Sequence, residues 1–187
     1  MTTFTRPDPI GIIQPDIKVY QAREADTQAV AQLLVRTAEW LKSQGSAQWN
    51  ALLRGEDSHN TPEAIKRGEV YLFMKGDMLA GMVMLMQKAS AWDRQLWGEE
   101  GHESSVYLHR LNINREAAGG GLGEAIVRWA DSGIAFDGKD RIRLDCIASN
   151  PKLNELYKRC GYTYAGSASN AMGVYSKYEK RIGDSSE

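Results

Sequence analysis

A cluster of four glycines between a strand-like and a helix-like segment is the feature that most constrains this chain. Gly119, Gly120, Gly121 and Gly123 lie within the segment NREAAGGGLGEAIVRWA, residues 114–130. Glycines at such a junction let backbone N–H groups turn inward and let a ligand approach closely. The helix that follows adds a partial positive charge at its N-terminus. The junction therefore predicts a site for a phosphate or pyrophosphate group.

The two common nucleotide-binding patterns do not fit this cluster. The pattern GxxxxGK[ST] requires a lysine after its last glycine, but Glu124 follows Gly123. The dinucleotide pattern GxGxxG requires a final glycine where Glu124 and Ile126 stand. A glycine-rich turn without a ligand is the alternative, and the position between strand and helix, where α/β sheets bind ligands, favours the binding site.

Hydrophobic periodicity around the cluster predicts an α/β fold, with a central mixed sheet of six or seven strands and helices on both faces. Strands are predicted at 17–21, 70–74, 79–87, 105–113, 141–147, 162–165 and 172–179, and helices from Asp26, from Thr61, over 122–134 and over 150–160. Residues 88–104 are predicted to form a long loop or irregular helix. The predicted organisation is an arm at 1–15, which contains three prolines, one domain at 16–182 and a tail at 183–187.

Composition excludes several classes of protein. The 187 residues are 42% hydrophobic and 25% charged, as expected of one folded domain, and a net charge of -1 gives no global reason to bind nucleic acid. The longest apolar run, residues 78–86, is shorter than the roughly 20 residues of a membrane span. The N-terminus lacks the pattern of a secretory signal. Cys146 and Cys160 are too few for a disulfide framework or zinc site, and we expect free thiols, a reducing cytoplasm and no metal.

The segments YLHRLNINREAAGGGLGEAIVRWA and RLDCIASNPKLNELYKRCGY resemble the acetyl-CoA-binding core of the Gcn5-related N-acetyltransferases. The family signature Q/R-x-x-G-x-G/A falls on residues 118–123. Ala118 stands in place of the first Gln or Arg, which removes one side-chain contact but leaves the backbone amides. The resemblance covers most of residues 16–180 as an order of elements and is specific over about 105–165.

This resemblance implies a GNAT-like fold and an acetyl-CoA-dependent N-acetyltransferase, with acetyl-CoA as co-substrate. The acetyl group would pass to a primary amine of a small molecule or peptide by direct attack in a ternary complex. The resemblance also implies that backbone groups near Leu111, Asn112 and Ile113 hold pantetheine. The pyrophosphate would be held by the loop of Ala118, Gly119, Gly120, Gly121, Leu122 and Gly123.

Asn150 and Tyr157 are seven residues apart, so both side chains lie on one face of the predicted helix. Asn150 precedes Pro151 and suits a helix N-cap, a cofactor contact, or both. Tyr157 could be a core residue, but the resemblance implies that it is the general acid for the departing CoA thiolate. A phenol with a pKa near 10 can hydrogen-bond or protonate a thiolate whose conjugate acid has a pKa near 8.5.

The general base is not fixed by the resemblance. Deprotonating a lysine-like amine at pH 7 costs about 4.6 kcal/mol, because its pKa is near 10.4. His109 lies on the strand that would flank the acetyl group, and an ordinary pKa near 6.5 suits this role, although a strand histidine without function fits equally well. Glu103 and Asp145 are weaker candidates, and Asp145 is equally suited to structural hydrogen bonding.

Four tryptophans fall in or near the segments that form the acceptor side in this family: Trp40, Trp49, Trp92 and Trp97. Such a wall would suit a hydrophobic or cationic amine, with loop packing as the alternative. Trp49, Trp97 and Asp145 are the predicted substrate contacts. The predicted partner is an amine acceptor rather than nucleic acid or a membrane, and a homodimer is left open. A non-catalytic acyl-CoA-binding or regulatory module is the main alternative, and a nucleotide-binding protein a weaker one.

Overall fold

An eight-stranded mixed sheet organises residues 6–182, the part of the chain that the computed structural model describes. The strands are β1 (Gly11–Gln14), β2 (Ile17–Gln21), β3 (Val70–Lys75), β4 (Met78–Met86), β5 (Ser105–Ile113), β6 (Arg141–Ile147), β7 (Thr163–Asn170) and β8 (Gly173–Arg181). Their order across the sheet is β1-β2-β3-β4-β5-β6-β8-β7. Every neighbouring pair is antiparallel except β5 and β6, which are parallel.

Six helices accompany the sheet: α1 (Thr27–Ser43), α2 (Asn50–Leu53), α3 (Thr61–Lys66), α4 (Ala91–Trp97), α5 (Leu122–Ser132) and α6 (Pro151–Arg159). Short 3₁₀ turns lie at Glu24–Asp26 and Arg115–Ala117. In the described region, none of these helices combines the length and the apolar character that crossing a membrane requires.

Both faces of the sheet are covered, and β3 shows how the sequence achieves this. Tyr71 and Phe73 face the core that contains α5 and α6, whereas Val70, Leu72 and Met74 face the core that contains α1 and α3. All five side chains are buried. A strand covered on both faces has a continuous apolar sequence instead of alternation, which is what β3 and β4 display.

The predicted fold class is confirmed, with eight strands instead of six or seven. The additional strand is β1, which lies within the stretch predicted as an arm and pairs with β2 at the sheet edge. The sequence gives little signal for β1, because this strand is only partly buried and Ile12 is 63% exposed. Residues 1–5 of the predicted arm and the predicted tail at 183–187 lie outside the described residues.

The segment 88–104, predicted as a long loop or irregular helix, contains the regular helix α4. Ser90 caps this helix, because its side chain accepts a hydrogen bond from the amide of Asp93 and the Asp93 carboxylate accepts from the amide of Ser90. This reciprocal arrangement is a capping box, and the spacing Ser-x-x-Asp is its sequence signature. The box also fixes the direction of the Asp93 side chain.

A bulge in β5 and the separation of β5 from β6 create the space for a site. The register between β4 and β5 shifts between Met82 and Met84, and Arg110, opposite this shift, has a left-handed backbone with φ of 58°. The pairing of β5 with β6 is limited to residues 105–107 with 141–143. Beyond Tyr107 the two parallel strands diverge, so the remaining edge of β5 faces a gap instead of a neighbouring strand.

Candidate active site

A pocket of about 210 Å³ lies where β5 and β6 diverge. Its walls come from β5, β6, α4, α6, β8 and the two loops on either side of α2. The lining residues are Gln48, Trp49, Ser58, His59, Trp92, Leu108, His109, Arg110, Leu111, Asp145, Cys146, Leu153, Tyr157 and Tyr175. From the residues that the sequence predicted, the pocket brings together His109, Leu111, Asp145, Tyr157 and two of the four tryptophans, Trp49 and Trp92.

The phenol of Tyr157 is available to donate a proton into this pocket. Asn150 caps α6, since its side-chain oxygen accepts from the amide of Leu153 at 3.1 Å, and Tyr157 lies two turns further along. The Tyr157 residue is only 4% exposed, and no hydrogen bond to its hydroxyl is present among residues 6–182. Burial, together with the neighbouring Cys146 and Asp145, raises the pKa of Tyr157, so the hydroxyl stays protonated. The N-cap role predicted for Asn150 is present, while a cofactor contact by this residue stays a prediction.

His109 and Asp93 form a buried pair. The Nε2 atom of His109 lies 2.9 Å and 3.1 Å from the two carboxylate oxygens of Asp93. In the neutral imidazole, a proton on Nε2 that donates to Asp93 leaves the lone pair on Nδ1. His109 therefore has the arrangement of a histidine base oriented by a carboxylate.

Opposing effects set the protonation of this pair. Burial lowers the pKa of His109, but the hydrogen bond and charge of Asp93, followed by the charge of Asp145, raise that pKa above its ordinary value. Burial raises the pKa of Asp93, but the hydrogen bonds from His109 and Ser90 and the charge of His109 bring it below its ordinary value. The carboxylate therefore stays ionised and favours the imidazolium.

Asp145 completes a three-residue cluster with His109 and Asp93, in which one ligand atom from each lies within 4.8 Å of the others. The indole Nε1 of Trp92 donates to the Asp145 carboxylate, at 3.2 Å from each oxygen. Burial raises the pKa of Asp145, and the charge of His109 offsets this only in part. The cluster offers atoms that a cation could use, but His109 and Asp93 already bind each other directly.

Cys146 lies beside Asp145 on the pocket wall and is the one thiol among the lining residues. Burial, and secondly the charge of Asp145, raises the pKa of Cys146 to about 12. Because the thiolate is the nucleophilic form, a thiol with this pKa is a poor nucleophile at neutral pH.

The glycine loop is shaped for close approach of a ligand to the backbone. Gly119 and Gly121 have φ of 96° and 72°, a conformation that favours glycine. Gly120 and Gly123 lie outside the left-handed region, and a Cβ at either position would meet no protein atom within 4 Å. Neither backbone conformation nor packing against described residues therefore requires glycine at 120 or 123.

The amides of this loop are unoccupied by protein acceptors. Within residues 6–182, no backbone N–H from 119 to 124 donates to another residue, whereas the amide of Ala125 donates to the carbonyl of Gly121 at 3.0 Å. The loop is held from outside by Gln14 in β1, whose side-chain amide donates to the carbonyl of Gly120 at 3.0 Å. A row of free amides at the start of α5 is suited to an anionic group.

Asn112 and Ile113, predicted with Leu111 to hold pantetheine, follow the bulge on the diverging part of β5. The Asn112 side chain is buried and hydrogen-bonded to Thr37, and Ile113 packs against the core. The side chains of both residues are therefore structural. Backbone contacts from this strand to a ligand stay a prediction.

Several tryptophan and carboxylate candidates lie elsewhere. Trp97, a predicted substrate contact, is not part of the pocket wall and packs under Arg143 and Lys177, at 4.6 Å and 5.1 Å from its ring. Trp40 stacks with Arg115 at 4.0 Å. Glu103 also lies outside this pocket. Trp40 is on α1, Trp97 is at the end of α4, where it packs against the hydrophobic core, and Glu103 lies between α4 and β5.

The acceptor-side wall contains residues that sequence reasoning missed. Arg110 reaches Asp57 at 3.3 Å and lies over the ring of Trp49 at 5.4 Å. His59 stacks on His109 with 4.2 Å between ring centroids. Burial, followed by the charges of His109 and Arg110, lowers the pKa of His59 to about 3, so this ring is neutral.

Two of the residues that sequence reasoning missed, Arg110 and Asp93, had a signal in the sequence. Arg110 directly follows His109, so two consecutive polar residues interrupt the alternation expected of β5. Asp93 belongs to the Ser-x-x-Asp capping pattern. His59 and Asp57 lie in a polar loop that has no such signal.

Comparison with known proteins gives a consistent result. Residues 28–162 match the model of the acetyltransferase (GNAT) family. The chain is 48% identical over 157 residues to YesJ of Bacillus subtilis (strain 168), described as an uncharacterized N-acetyltransferase, covering 84% of this chain and 86% of that protein. A GNAT-family acetyltransferase structure from Listeria monocytogenes 4b F2365 is 35% identical, with a TM-score of 0.74, covering 89% of this chain and 95% of that one. The fold is also similar to YncA from Salmonella typhimurium, a putative acetyltransferase solved with acetyl-CoA, at 12% identity, a TM-score of 0.65, and coverage of 92% and 97%.

Proposed function

The chain belongs to the GNAT family and is an N-acetyltransferase; from this premise we propose that it uses acetyl-CoA to acetylate a primary amine of a small molecule by direct attack in a ternary complex. The observation that carries the proposal is the glycine loop. The described residues 6–182 give no reason for glycine at 120 and 123, since a Cβ at either position would meet none of their atoms within 4 Å. A ligand lying against the loop backbone gives both positions a reason to lack a side chain.

The free amides of residues 119–124 would hold the pyrophosphate of acetyl-CoA at the N-terminus of α5. The unpaired edge of β5 after Tyr107 would hold the pantetheine arm, because its backbone groups have no partner strand there. This placement leads along the gap from the glycine loop to Tyr157 and Cys146 in the pocket. When bound, acetyl-CoA supplies an activated acetyl group as a thioester.

Residues of this chain would carry out the two proton transfers, from the acceptor amine and to the departing thiolate. The Nδ1 atom of His109 would take a proton from the acceptor ammonium, directly or through a water molecule, while Asp93 holds the ring and stabilises the imidazolium. Tyr157 would hydrogen-bond or protonate the departing thiolate through its hydroxyl, which carries its proton and has no partner among residues 6–182. Asp145 would hold the acceptor's ammonium group near His109 before that proton is removed.

Direct transfer is favoured over an acetylated enzyme. The only thiol on the pocket wall is that of Cys146, and a pKa of about 12 leaves very little thiolate at neutral pH. The described structure therefore offers no activated cysteine at this position.

The test is a calorimetric titration of the protein with CoA, combined with free-thiol release from acetyl-CoA over a broad amine panel. Saturable CoA binding with amine-dependent thiol release supports the proposal. CoA binding without release from any amine would indicate a non-catalytic CoA-binding module. The absence of CoA binding by folded protein would contradict the proposal as a whole.

A further inference from the structure

Arg110 is a buried cation whose hydrogen-bonding capacity is largely unused. Its side chain is only 8% exposed, although it lines the pocket. Its Nη2 atom donates one long hydrogen bond to the Asp57 carboxylate, at 3.3 Å. Its buried Nη1 atom has no partner among residues 6–182. A guanidinium carries five N–H donors, so most of its donors point to no protein acceptor. Burying a charge without full pairing opposes folding, which calls for a functional reason.

The backbone around Arg110 is also strained. In the described part of the chain, three non-glycine residues have positive φ: Trp49 at 67°, Asn60 at 46° and Arg110 at 58°. Trp49 and Arg110 are in contact over the pocket, and Asn60 follows the lining residue His59. Left-handed backbone in bulky residues is costly and concentrates at ligand-binding sites. The bulge in β5 that produces this strain is what turns the Arg110 side chain toward the pocket.

The chemistry of Arg110 selects an anionic ligand group. The planar guanidinium can bind a carboxylate through two parallel N–H···O bonds. The single long contact to Asp57 leaves donors of Arg110 available for such a pair. On the same pocket wall, Asp145 and His109, whose ring is held by Asp93, supply the features that receive an amine. A ligand that carries both a carboxylate and an amine therefore complements both charges of the pocket.

Size and charge disfavour the other acceptors. The cavity of about 210 Å³ is below the roughly 300–1,000 Å³ of pockets for drug-sized ligands, so it suits a small molecule. A polyamine or aminoglycoside would place an additional cation near the buried guanidinium of Arg110, and like charges in a low-dielectric pocket repel.

We propose that the acceptor is a small amino-carboxylate such as an amino acid, whose carboxylate binds Arg110 while its amine faces Asp145 and His109. This assignment rests on the proposed N-acetyltransferase function and specifies its substrate class. Arg110 is thereby a specificity-determining residue. Trp49, which stacks with the guanidinium, holds it in place.

The experiment compares amines that differ only in the carboxylate. Each proteinogenic amino acid is assayed beside its carboxamide and its decarboxylated amine, together with a polyamine and a short peptide, by thiol release from acetyl-CoA. We expect wild-type protein to acetylate one or more free acids with a kcat/KM at least about tenfold above the matched amide, since a bidentate pair contributes on this scale. The preference should reside mainly in KM for the acceptor.

Arg110→Gln should remove this preference, so that the acid and its amide react with similar kcat/KM. The matched control is Arg54→Gln, because Arg54 forms an exposed ion pair with Glu56 outside the pocket. Arg110→Gln leaves Asp57 without its cation, so the double variant Arg110→Gln/Asp57→Asn is made in parallel. CoA affinity, measured calorimetrically, shows that each variant is folded.

The outcomes separate this inference from the proposed function. Equal use of acid, amide and decarboxylated amine by wild-type protein, or a preference that persists in both Arg110 variants, overturns the inference and leaves the acetyltransferase function intact. Turnover of the polyamine or peptide alone overturns it as well. Failure of wild-type protein to bind CoA removes the proposed function and the inference with it.

Discussion

The Nε2 atom of His109 lies 2.9 Å from a carboxylate oxygen of Asp93; both side chains are buried, and His109 lines the pocket. The first residue is on β5 and the second on α4, 16 positions earlier in the chain. An imidazole held by an ionised carboxylate is oriented and made more basic. This pair therefore gives the proposed proton acceptor a defined tautomer.

The pH dependence of acetyl transfer should follow His109. Because the pKa of His109 is raised above its ordinary value, kcat/KM should fall as pH drops through a point above about 6.5. In Asp93→Asn the hydrogen bond to the carboxylate and its charge are lost, only the charge of Asp145 still raises the pKa of His109, and burial still lowers it, so the acidic limb should move to lower pH. The maximal rate should decrease roughly 10²-fold or more, as is typical when a general base is impaired. The measurement is kcat/KM against pH with one acceptor, so that the titration of the amine is common to both proteins.

His102→Gln is the control for this profile, because His102 binds Tyr107 and Gly98 away from the pocket. Its acidic limb should coincide with that of wild-type protein. An unchanged limb in Asp93→Asn would refute the role of the pair.

Tyr157→Phe should impair transfer without loss of folding. The hydroxyl has no protein partner in the described region, so its removal breaks no hydrogen bond there. We expect kcat to fall about 10²-fold, at the lower end for general acids, because a thiolate is a comparatively good leaving group. Steady-state kinetics and CoA titration measure the two effects.

Tyr162→Phe is the matched control. Tyr162 packs beside Tyr157, with 6.2 Å between ring centroids, but its buried hydroxyl is outside the pocket. It should retain wild-type kcat, and equal rates for Tyr157→Phe and wild-type protein would remove Tyr157 as the acid.

Gly120→Ala and Gly123→Ala should separate CoA binding from stability. An added Cβ meets no protein atom at either position but would stand where the pyrophosphate is proposed to lie. We expect the Kd for CoA to rise at least about tenfold, since one displaced phosphate contact is a charge-assisted hydrogen bond. Gly123 lies in the first turn of α5, so alanine there should raise the free energy of unfolding by about 0.5–1 kcal/mol.

Calorimetry measures the affinity, and urea denaturation measures the stability. Ser132→Ala, at the opposite end of α5, serves as the control and should bind CoA like wild-type protein. Undiminished affinity in both glycine variants would place CoA elsewhere.

Cys146→Ala should leave acetyl transfer close to wild type, because the thiol, with a pKa of about 12, is not proposed to carry an acetyl group. Wild-type protein incubated with acetyl-CoA and no acceptor should show no acetylated Cys146 by mass spectrometry. An acetyl-cysteine at this position that disappears when an amine is added would contradict direct transfer.

Much of the cofactor side could be predicted from the sequence, because its features are local. The glycine cluster, the N-cap at Asn150 and the helical spacing to Tyr157 each depend on residues within one or two turns. Helix α4 had a capping signal of the same local kind at Ser90 and Asp93, although the polar composition around it favoured a loop. The edge strand β1 had no such signal, because exposed side chains leave little periodicity.

The sequence alone determined the fold class, the family resemblance and the glycine-rich junction before α5, since strand and helix periodicity and glycine conformational freedom act over short distances. The tertiary structure decided which side chains meet in the pocket. Asp57 and Arg110 are 53 positions apart, as are Trp92 and Asp145, and only the packing of separate elements brings them together. The divergence of β5 from β6 and the bulge at Arg110 also depend on register between strands, which no local pattern specifies.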